Sequence, residues 1–453
     1  GPQLIIARLA GDTLPSFAMT GTARVALAQH WALRVSSSNL VGARELALPM
    51  DQSIDDGRRA SSGAARLEYR RGDRRVAIDA FIDDRNYILP PNETEDAILA
   101  IVLIDRETSM RASAKVDDKL DKLQIQGQAW AHSLSRRTRY YRDVAMTDNY
   151  RVEEIDATRI GGMALVTAPF KKDFRWIASA STSREDAEVT EDLTSRGHLT
   201  LAEVAAGLQY ERKRLRVESA AGVAIPIGVG ADPWPEAKLV ARQKIVHHFE
   251  VTATTGYKGR LPSLRERFDA VMGDPDLDPE HALHFEVRAI EHRERLHVEL
   301  APFYRHSSGF IRQLGGRFAN TGPLDIYGVD VIARAHVHRR VELGGSYQYI
   351  RAQSDRANEP LDFLPHHKAD GWLRATLPRD ISTLVRARYI STALDGGMKV
   401  GNYTLVEANA TAQAGDYLVV LRVDDALDKR PEVRAGFPST GRVISLVLQG
   451  SWD

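Results

Sequence analysis

The chain has 453 residues, and its 61 lysine and arginine residues balance its 61 aspartate and glutamate residues. This balance argues against a nucleic-acid-binding protein and against a protein held to a membrane surface by basic charge. The sequence has no cysteine, which excludes a disulfide framework, a cysteine-ligated metal and thiol catalysis. No apolar run reaches the ~18 residues that a membrane-spanning helix requires.

Strands dominate the predicted secondary structure. Apolar and polar side chains alternate, in chain order, over residues 202–210, 249–258, 329–337 and 369–377. This alternation is typical of strands with one apolar face. Each segment has about ten residues, which is the length that a tilted strand needs to cross a hydrocarbon core. No Pro-rich, Gly/Ser-rich or single-charge linker separates the segments, so we expect one large domain.

The connections between these segments alternate between short and long. Charged turns are predicted at 171–173, 211–214, 338–340, 378–380 and 414–416. Long loops are predicted at about 43–61, 87–104, 138–154, 259–280, 312–322, 353–365 and 425–441. Short turns at one end and long loops at the other are typical of outer-membrane barrels. The sequence therefore predicts an all-β fold, a transmembrane antiparallel up-and-down β-barrel of about 22 strands.

Several segments resemble, in the right order, motifs of the TonB-dependent outer-membrane receptors. GYKGRLPSLRERF (256–268) is similar to the family's GFRAPSLxERF, and DPDLDPE (274–280) is similar to its NPNLKPE. Four further segments resemble motifs of the same family: YGVDVIARAHVHRRVELGGSYQYIRA (327–352), FLPHHKADGWLRATLP (363–378), VDDALDKRP (423–431) and the terminal FPSTGRVISLVLQGSW (437–452). The resemblance runs from about residue 240 to the end, whereas residues 60–240 share only the strand pattern.

The resemblance implies a protein of the Gram-negative outer membrane that takes up a scarce solute. A siderophore-like chelate, a vitamin or an oligomer would be captured by the outer loops. Receptors of this family carry a plug domain ahead of the barrel and a short segment that recruits TonB, the energy-transducing inner-membrane protein. The expected partners are therefore outer-membrane lipid, a plug domain or another partner that blocks the lumen, and TonB only if the natural protein has a plug.

We expect residues 1–453 to form a single transmembrane β-barrel domain with no N-terminal plug. Within residues 1–15, Gly1 and Pro2 are typical of the remnant of a cleaved purification tag, and residues 3–9 are either the exit from a plug or the first strand. Either a plug has been removed or the natural protein lacks one. A naturally plugless barrel would act as a channel, or as a structural component of an envelope complex with a partner that blocks the lumen. A soluble all-β protein is the third alternative.

The polar face of the predicted strands points into the barrel, because charged side chains near the midplane of a lipid bilayer are costly. Arg334, Arg374, Arg386 and Arg388 are the predicted ligand-binding residues of this lumen wall, since guanidinium groups offer fixed donors to carboxylates and phosphates. The same face is predicted to carry Glu250, Lys258, Glu286, Arg288, His297, Glu299 and His336. The alternative interpretation is a wall of paired, solvated residues that would bind a plug.

No motif in the sequence indicates catalysis. The pairs His281/His284, His247/His248 and His366/His367 lack both the HExxH pattern and cysteine partners. The acids at 153–154 and 185–186 are predicted at loop edges, and residues 315–322 are predicted as an outer loop. We therefore predict that the protein is not an enzyme and has no cofactor, no metal site and no nucleic-acid partner.

Overall fold

The computed structural model describes residues 4–48, 52–93, 99–191, 194–269, 272–354, 361–435 and 437–452. Twenty-two strands form one continuous antiparallel sheet, in which each strand pairs with its neighbours in the chain. The first strand also pairs with the last, with Ile5 opposite Trp452 and Asp12 opposite Ser445. The sheet is therefore closed, and the predicted barrel of about 22 strands is confirmed.

The strands in the first half of the barrel are, in order, β1 (Leu4–Asp12), β2 (Ser16–Ala28), β3 (Trp31–Leu48), β4 (Gln52–Arg71), β5 (Arg74–Glu93), β6 (Leu99–Leu120), β7 (Leu123–Tyr141), β8 (Asn149–Lys171), β9 (Phe174–Thr190), β10 (Thr194–Arg212) and β11 (Leu215–Ile227).

The second half begins with β12 (Trp234–Val246), β13 (Phe249–Arg260), helix α1 (Leu264–Phe268), β14 (Glu280–His292), β15 (Leu296–Ser308), β16 (Ile311–Leu314), β17 (Arg317–Asn320), β18 (Leu324–His338) and β19 (Val341–Ser354). It continues with β20 (His367–Thr376), the 3₁₀ turn Pro378–Asp380, β21 (Ser382–Ile390), β22 (Ala393–Asp395), β23 (Met398–Val400), β24 (Tyr403–Ala414), β25 (Tyr417–Asp424), β26 (Glu432–Arg434), β27 (Phe437–Pro438) and β28 (Val443–Trp452). The pairs β16–β17, β22–β23 and β26–β27 are small hairpins within connections.

The two ends of the barrel differ as predicted. Short turns such as 213–214, 339–340 and 415–416 join the strands at one end. At the other end, the connection from β13 to β14 contains α1, and the connection from β15 to β18 contains the β16–β17 hairpin. Part of the predicted outer loop at 315–322 is therefore β17, the second strand of this hairpin.

Two predicted long loops are wrong. Residues 43–61 and 87–104 were expected to be loops, but β3, β4, β5 and β6 continue through most of both ranges. The predicted loop at 138–154 shrinks to the connection 142–148. Charged and small residues in these ranges had suggested loops, yet the paired backbone continues because a strand outside the membrane needs no apolar face.

One side of the barrel, formed by β3 to β10, is taller than the rest. Strands β3 to β10 have 17 to 23 residues, whereas the barrel strands from β11 onward have 8 to 15. A tilted strand needs only about 9–11 residues to cross the bilayer. Strands β3 to β10 therefore project well beyond the membrane at the end that carries the long connections.

The projecting strands have a small core of their own. Ile54, Ile88, Ile101 and Tyr141 form a buried apolar cluster. Beside this cluster, Arg85 pairs with Asp83 (2.6 Å) and Glu107 (3.2 Å). The acids at 153–154 and 185–186 were predicted at loop edges, but they lie within β8 and β9. Glu153 is buried and pairs with Arg136 and Arg151.

Among the described residues, no helix combines the length and the apolar composition that crossing a membrane would require. The longest apolar surfaces belong to the strands. Exposed apolar side chains recur along one face, and they include Val204, Leu208, Leu239, Val287, Leu300, Leu343, Leu373, Val385, Leu421 and Leu446. This face points away from the lumen, since it forms a largely apolar exterior around the closed sheet.

Candidate functional site

The strand register assigns each side chain to the inside or the outside of the barrel, because residues directly opposite each other on antiparallel strands share a face. Leu343 lies opposite Ala335 and Leu373, and all three are on the apolar exterior. Arg334 lies opposite Gly344, and Gly344 lies opposite Trp372. Arg386 lies opposite Trp372 in turn. Arg334, Gly344, Trp372 and Arg386 each lie one residue away from an exterior residue on the same strand. Because successive side chains of a strand point to opposite faces, these four residues face the lumen.

The four predicted arginines come together on neighbouring strands of the inner wall. Arg334 lies on β18, Arg374 on β20, and Arg386 and Arg388 on β21. We call these four arginines, together with Trp372 and Asp370, the arginine wall. The indole of Trp372 covers Gly344 so closely that a methyl group at that glycine would overlap it. An aromatic surface thus lies between Arg334 and Arg386.

One carboxylate neutralises part of the arginine wall. Asp370 accepts from the Nε of Arg386 at 2.8 Å and from the Nε of Arg388 at 3.3 Å. Both guanidinium groups contact the same oxygen, Oδ1, so one negative charge is shared between two positive charges. Arg334 and Arg374 are exposed, and neither forms an ion pair within the described part of the chain. Within the arginine wall, four positive charges therefore face one carboxylate, while Glu342 lies opposite Arg374 and Glu407 lies opposite Arg386 on the adjacent strands.

The other charged residues predicted to face the lumen are mostly paired. Arg288 contacts Glu286 (3.1 Å) and Glu299 (3.3 Å). Glu250 contacts Arg242 at 2.9 Å, and His336 lies 3.5 Å from Glu342. A cavity of ≈ 380 Å³ on this wall is lined by Arg288, Glu299, Asp330, Ser346, Lys368 and Asp370, among others. For these residues the interpretation as a paired wall fits the geometry better than a binding site does.

A second charged region, which the sequence pattern only partly predicts, lies between β10 and β15. In this region Lys238 pairs with Glu218 (3.6 Å) and Lys258 pairs with Glu203 (3.4 Å). A cavity of ≈ 680 Å³ is bordered by the cationic side chains Lys238, Lys258, Arg260 and Arg305 and by the acids Glu236 and Glu280. Its floor contains Gly222, Gly256 and Ala282, which leave room on the inner wall. Lys258 was predicted to face the lumen, and the period-two pattern would also have found Lys238 and Arg305.

The outer connection at 261–279 is anchored by a dense set of hydrogen bonds. Ser263 and Glu266 form a reciprocal capping box at the start of α1. Arg260 donates two hydrogen bonds to Glu266, at 2.9 and 3.1 Å, and one to Glu280 at 2.8 Å. The buried guanidinium of Arg267 donates to the backbone carbonyls of Pro275 and Leu277. The motif that resembles a receptor sequence therefore serves to fold this connection.

The environment of Glu266 favours its ionised form. Burial raises the pKa of this carboxyl group, but hydrogen bonds from Arg260 and from the backbone and hydroxyl of Ser263 outweigh burial, so the net pKa is lowered. On the other side of α1, Leu261 and Leu264 pack with Leu199, Ala224 and Trp234 in a buried cluster. The connection is thus fixed to β10, β11 and β12 at the mouth of the barrel.

The histidine pairs named in the sequence analysis do not form metal sites with three or more ligands. His281 faces outward and stacks on Tyr257, with ring centroids 5.7 Å apart, whereas His284 faces inward. His367 begins β20, as its position in the sequence predicted, and its Nδ1 lies 2.8 Å from the hydroxyl of Tyr347. No group of three or more His, Asp or Glu side chains is arranged for a metal ion within the residues that the model describes.

Comparisons with known proteins agree with this architecture. Residues 244–426 match the family model described as TonB dependent receptor-like, beta-barrel. The solved structure of the copper transporter OprC is similar over 100% of this chain and 80% of its own, with a TM-score of 0.84 and 12% identity. The ferric-catecholate import receptor Fiu from Escherichia coli K12 gives a TM-score of 0.79 at 11% identity, over 100% of this chain and 82% of its own.

The ferric yersiniabactin uptake receptor FyuA from Yersinia pestis gives a TM-score of 0.76 at 12% identity, over 100% of this chain and 80% of its own. At these identities the structural likeness establishes the fold. No curated protein matches the sequence.

Proposed function

We propose that this chain is the β-barrel of a TonB-dependent receptor of the Gram-negative outer membrane and that it serves in the uptake of a scarce solute. We propose further that an anionic metal chelate is the class of solute that fits its lumen. The family consists of transporters and not of enzymes. Its relatives of known structure include receptors that import ferric chelates and a copper transporter. The finer assignment of the solute rests on the inner wall of this chain.

The observation that carries the proposal is the family match, which spans all four residues of the predicted site. Arg334, Arg374, Arg386 and Arg388 all lie within residues 244–426. Arginine suits carboxylate, phosphate and catecholate oxygens, because its planar group donates two parallel hydrogen bonds. The exposed face of Trp372 between Arg334 and Arg386 adds an aromatic surface for a planar ligand.

The proposed path begins at the tall end of the barrel. A solute would first contact the outer connections, including α1, and would then meet Lys238, Lys258 and Arg305 in the upper lumen. The arginine wall lies lower, nearer the short turns at 339–340 and 377–381. The exposed Arg305 and the arginine wall would attract an anion into the lumen, and a conformational change in the lumen would then release it. In this family that change comes from a plug coupled to TonB, and we propose the same partners here.

Binding to the purified full chain tests the solute class. A ferric catecholate chelate would be titrated in detergent and followed by quenching of tryptophan fluorescence. The double substitution Arg334→Ala/Arg374→Ala removes two cations that form no ion pair within the described ranges. The affinity should therefore fall about tenfold or more, given ~1.5–3 kcal/mol for a hydrogen bond to a charged group. Arg212→Ala, at an exposed periplasmic turn, is the matched control and should change nothing.

If the Arg334→Ala/Arg374→Ala protein and the Arg212→Ala control bound the chelate with equal affinity, the arginine wall would no longer be part of the proposal. Absence of binding by anionic, neutral and cationic chelates alike would argue against the uptake of a chelate altogether. The alternative, a barrel whose lumen is blocked by a separate partner, would then be favoured if a second protein remained bound to the chain through purification from the outer membrane.

A further inference from the structure

Histidines are concentrated at the periplasmic rim of three neighbouring strands. His248 directly precedes β13, His292 ends β14, and His297 lies at the start of β15. His292 is directly opposite His297 in the strand register, and the backbone N–H of His292 donates to the carbonyl of His248 at 2.7 Å. The turn at 293–295 thus brings two imidazoles together that are five positions apart in the sequence.

The two imidazoles present the same ring nitrogen to each other. The Nδ1 atoms of His292 and His297 are 3.2 Å apart. Two nitrogen ligands at about 2.0–2.1 Å from one metal ion are separated by about 2.9 Å in square-planar and about 3.4 Å in tetrahedral geometry. The observed spacing lies between these values, so one ion can bridge the two nitrogens with little movement of either ring.

The second nitrogen of His297 has the partner that a metal-ligating histidine requires. Its Nε2 lies 2.7 Å from Oε1 of Glu299. A carboxylate at this position holds the proton on Nε2, which leaves the lone pair of Nδ1 directed at Nδ1 of His292. Glu299 is itself oriented by Arg288 at 3.3 Å. A ligand, an orienting carboxylate and a group that fixes the carboxylate therefore follow one another on the inner wall.

We propose that His292 and His297 form a binding site for a divalent transition-metal ion at the periplasmic rim of the barrel. Nδ1 of each residue is a ligand, water completes the coordination, and Glu299 is the positioning residue. Imidazole ligands favour Cu²⁺, Ni²⁺ and Zn²⁺ over Mg²⁺ and Ca²⁺. Arg334 lies opposite His297 on β18 and opposes the cation, whereas the carboxylates of Glu299 and Glu291 favour it.

A neighbouring histidine pair serves as the control. His247 and His248 also have their Nδ1 atoms 3.2 Å apart. However, Nε2 of His248 lies 3.5 Å from the guanidinium of Arg293 as well as 3.5 Å from Glu291. The positive charge of Arg293 at that nitrogen makes this pair the poorer metal site. Substitution of His247 and His248 should therefore leave metal binding at His292 and His297 intact.

Copper binding to the purified full chain is the test, with Cu²⁺ as the probe in a non-chelating detergent buffer. Calorimetry should give one tight ion per chain, and electron paramagnetic resonance should show coupling to two imidazole nitrogens. His292→Ala and His297→Ala should each weaken binding at least tenfold, Glu299→Gln should weaken it about 10- to 100-fold, and His247→Ala/His248→Ala should leave it unchanged.

His292→Asn keeps a polar side chain of similar size, so a loss of binding in this variant is not explained by a folding defect. The change in gel migration on heating shows whether the barrel of each variant is folded. Absence of saturable Cu²⁺ binding would overturn the proposal. Binding that survives both His292→Asn and His297→Ala would overturn it as well. Both results are independent of whether the barrel imports an anionic chelate.

Discussion

Glu266 is the residue on which the outer connection depends most. It closes the capping box with Ser263 and accepts two hydrogen bonds from Arg260. We predict that Glu266→Gln increases local opening of residues 261–279 about tenfold, since a lost charge-assisted pair costs about 1.5 kcal/mol. Limited proteolysis or hydrogen exchange would measure the change. Arg265→Ala, which removes an exposed side chain 3.8 Å from Asp269, should cause no change.

The lowered pKa of Glu266 also predicts how this connection responds to acid. A carboxyl group whose pKa is lower in the folded state stabilises that state above its unfolded pKa, and the stabilisation is lost as the pH falls through the folded value. The connection should therefore stay closed at the ordinary glutamate pKa of about 4.3 and open only at lower pH. The difference in fluorescence between the protein and its Trp234→Phe variant would report the opening. Opening at or above the ordinary value would contradict the prediction.

Asp370 determines how much positive charge the arginine wall presents. Its carboxylate is shared by Arg386 and Arg388, so Asp370→Asn removes the counter-charge that the two guanidinium groups share. We predict that this substitution strengthens binding of an anionic chelate, in the direction opposite to Arg334→Ala. Titration of both variants with the same chelate would check that the affinity rises in Asp370→Asn and falls in Arg334→Ala. A loss of affinity in Asp370→Asn would show that the carboxylate orients the arginines more than it neutralises them.

At the scale of the strands, the position of Trp372 depends on a glycine in the adjacent strand. A methyl group at Gly344 would overlap the indole, whereas a methyl group at Gly371 has no atom within 4 Å. Gly344→Ala should therefore displace Trp372 and cost about 1–3 kcal/mol of stability, as overpacking commonly does. The substitution Gly371→Ala is the control. Thermal unfolding followed by gel migration, with tryptophan fluorescence as the local readout, would distinguish them.

The sequence predicted the strands of the second half better than those of the first. Where a strand crosses lipid, one face must be apolar, and the alternation around Val331 or Leu373 makes the strand visible. Above the membrane, β4 and β5 carry charged residues on both faces, so nothing in the pattern distinguishes them from loops. Their pairing depends on neighbouring strands that the sequence alone does not align.

The candidate site was predictable only as far as the face of each strand. The period-two pattern placed Arg334 and Arg386 on the polar side, and the register agrees. The sharing of Asp370 by two arginines, and the approach of His292 to His297 across a turn, depend on side-chain positions in adjacent strands. Sequence spacing does not contain that information, because a shift of one residue in register would separate both sets.

For the whole molecule, the closed sheet and the charges of its inner wall predict conduction by this chain alone. A barrel of about 22 strands has a lumen much wider than side chains can fill. In a planar bilayer we therefore expect the 453-residue chain to give a large, steady conductance with a preference for anions, because Arg334 and Arg374 form no ion pair among the residues that the model describes. The reversal potential in a salt gradient measures that preference, and Arg334→Ala/Arg374→Ala should reduce it without reducing the conductance. Silence in the bilayer would mean that the connections of the chain itself close the lumen, and a cation preference would contradict the role assigned to the arginine wall.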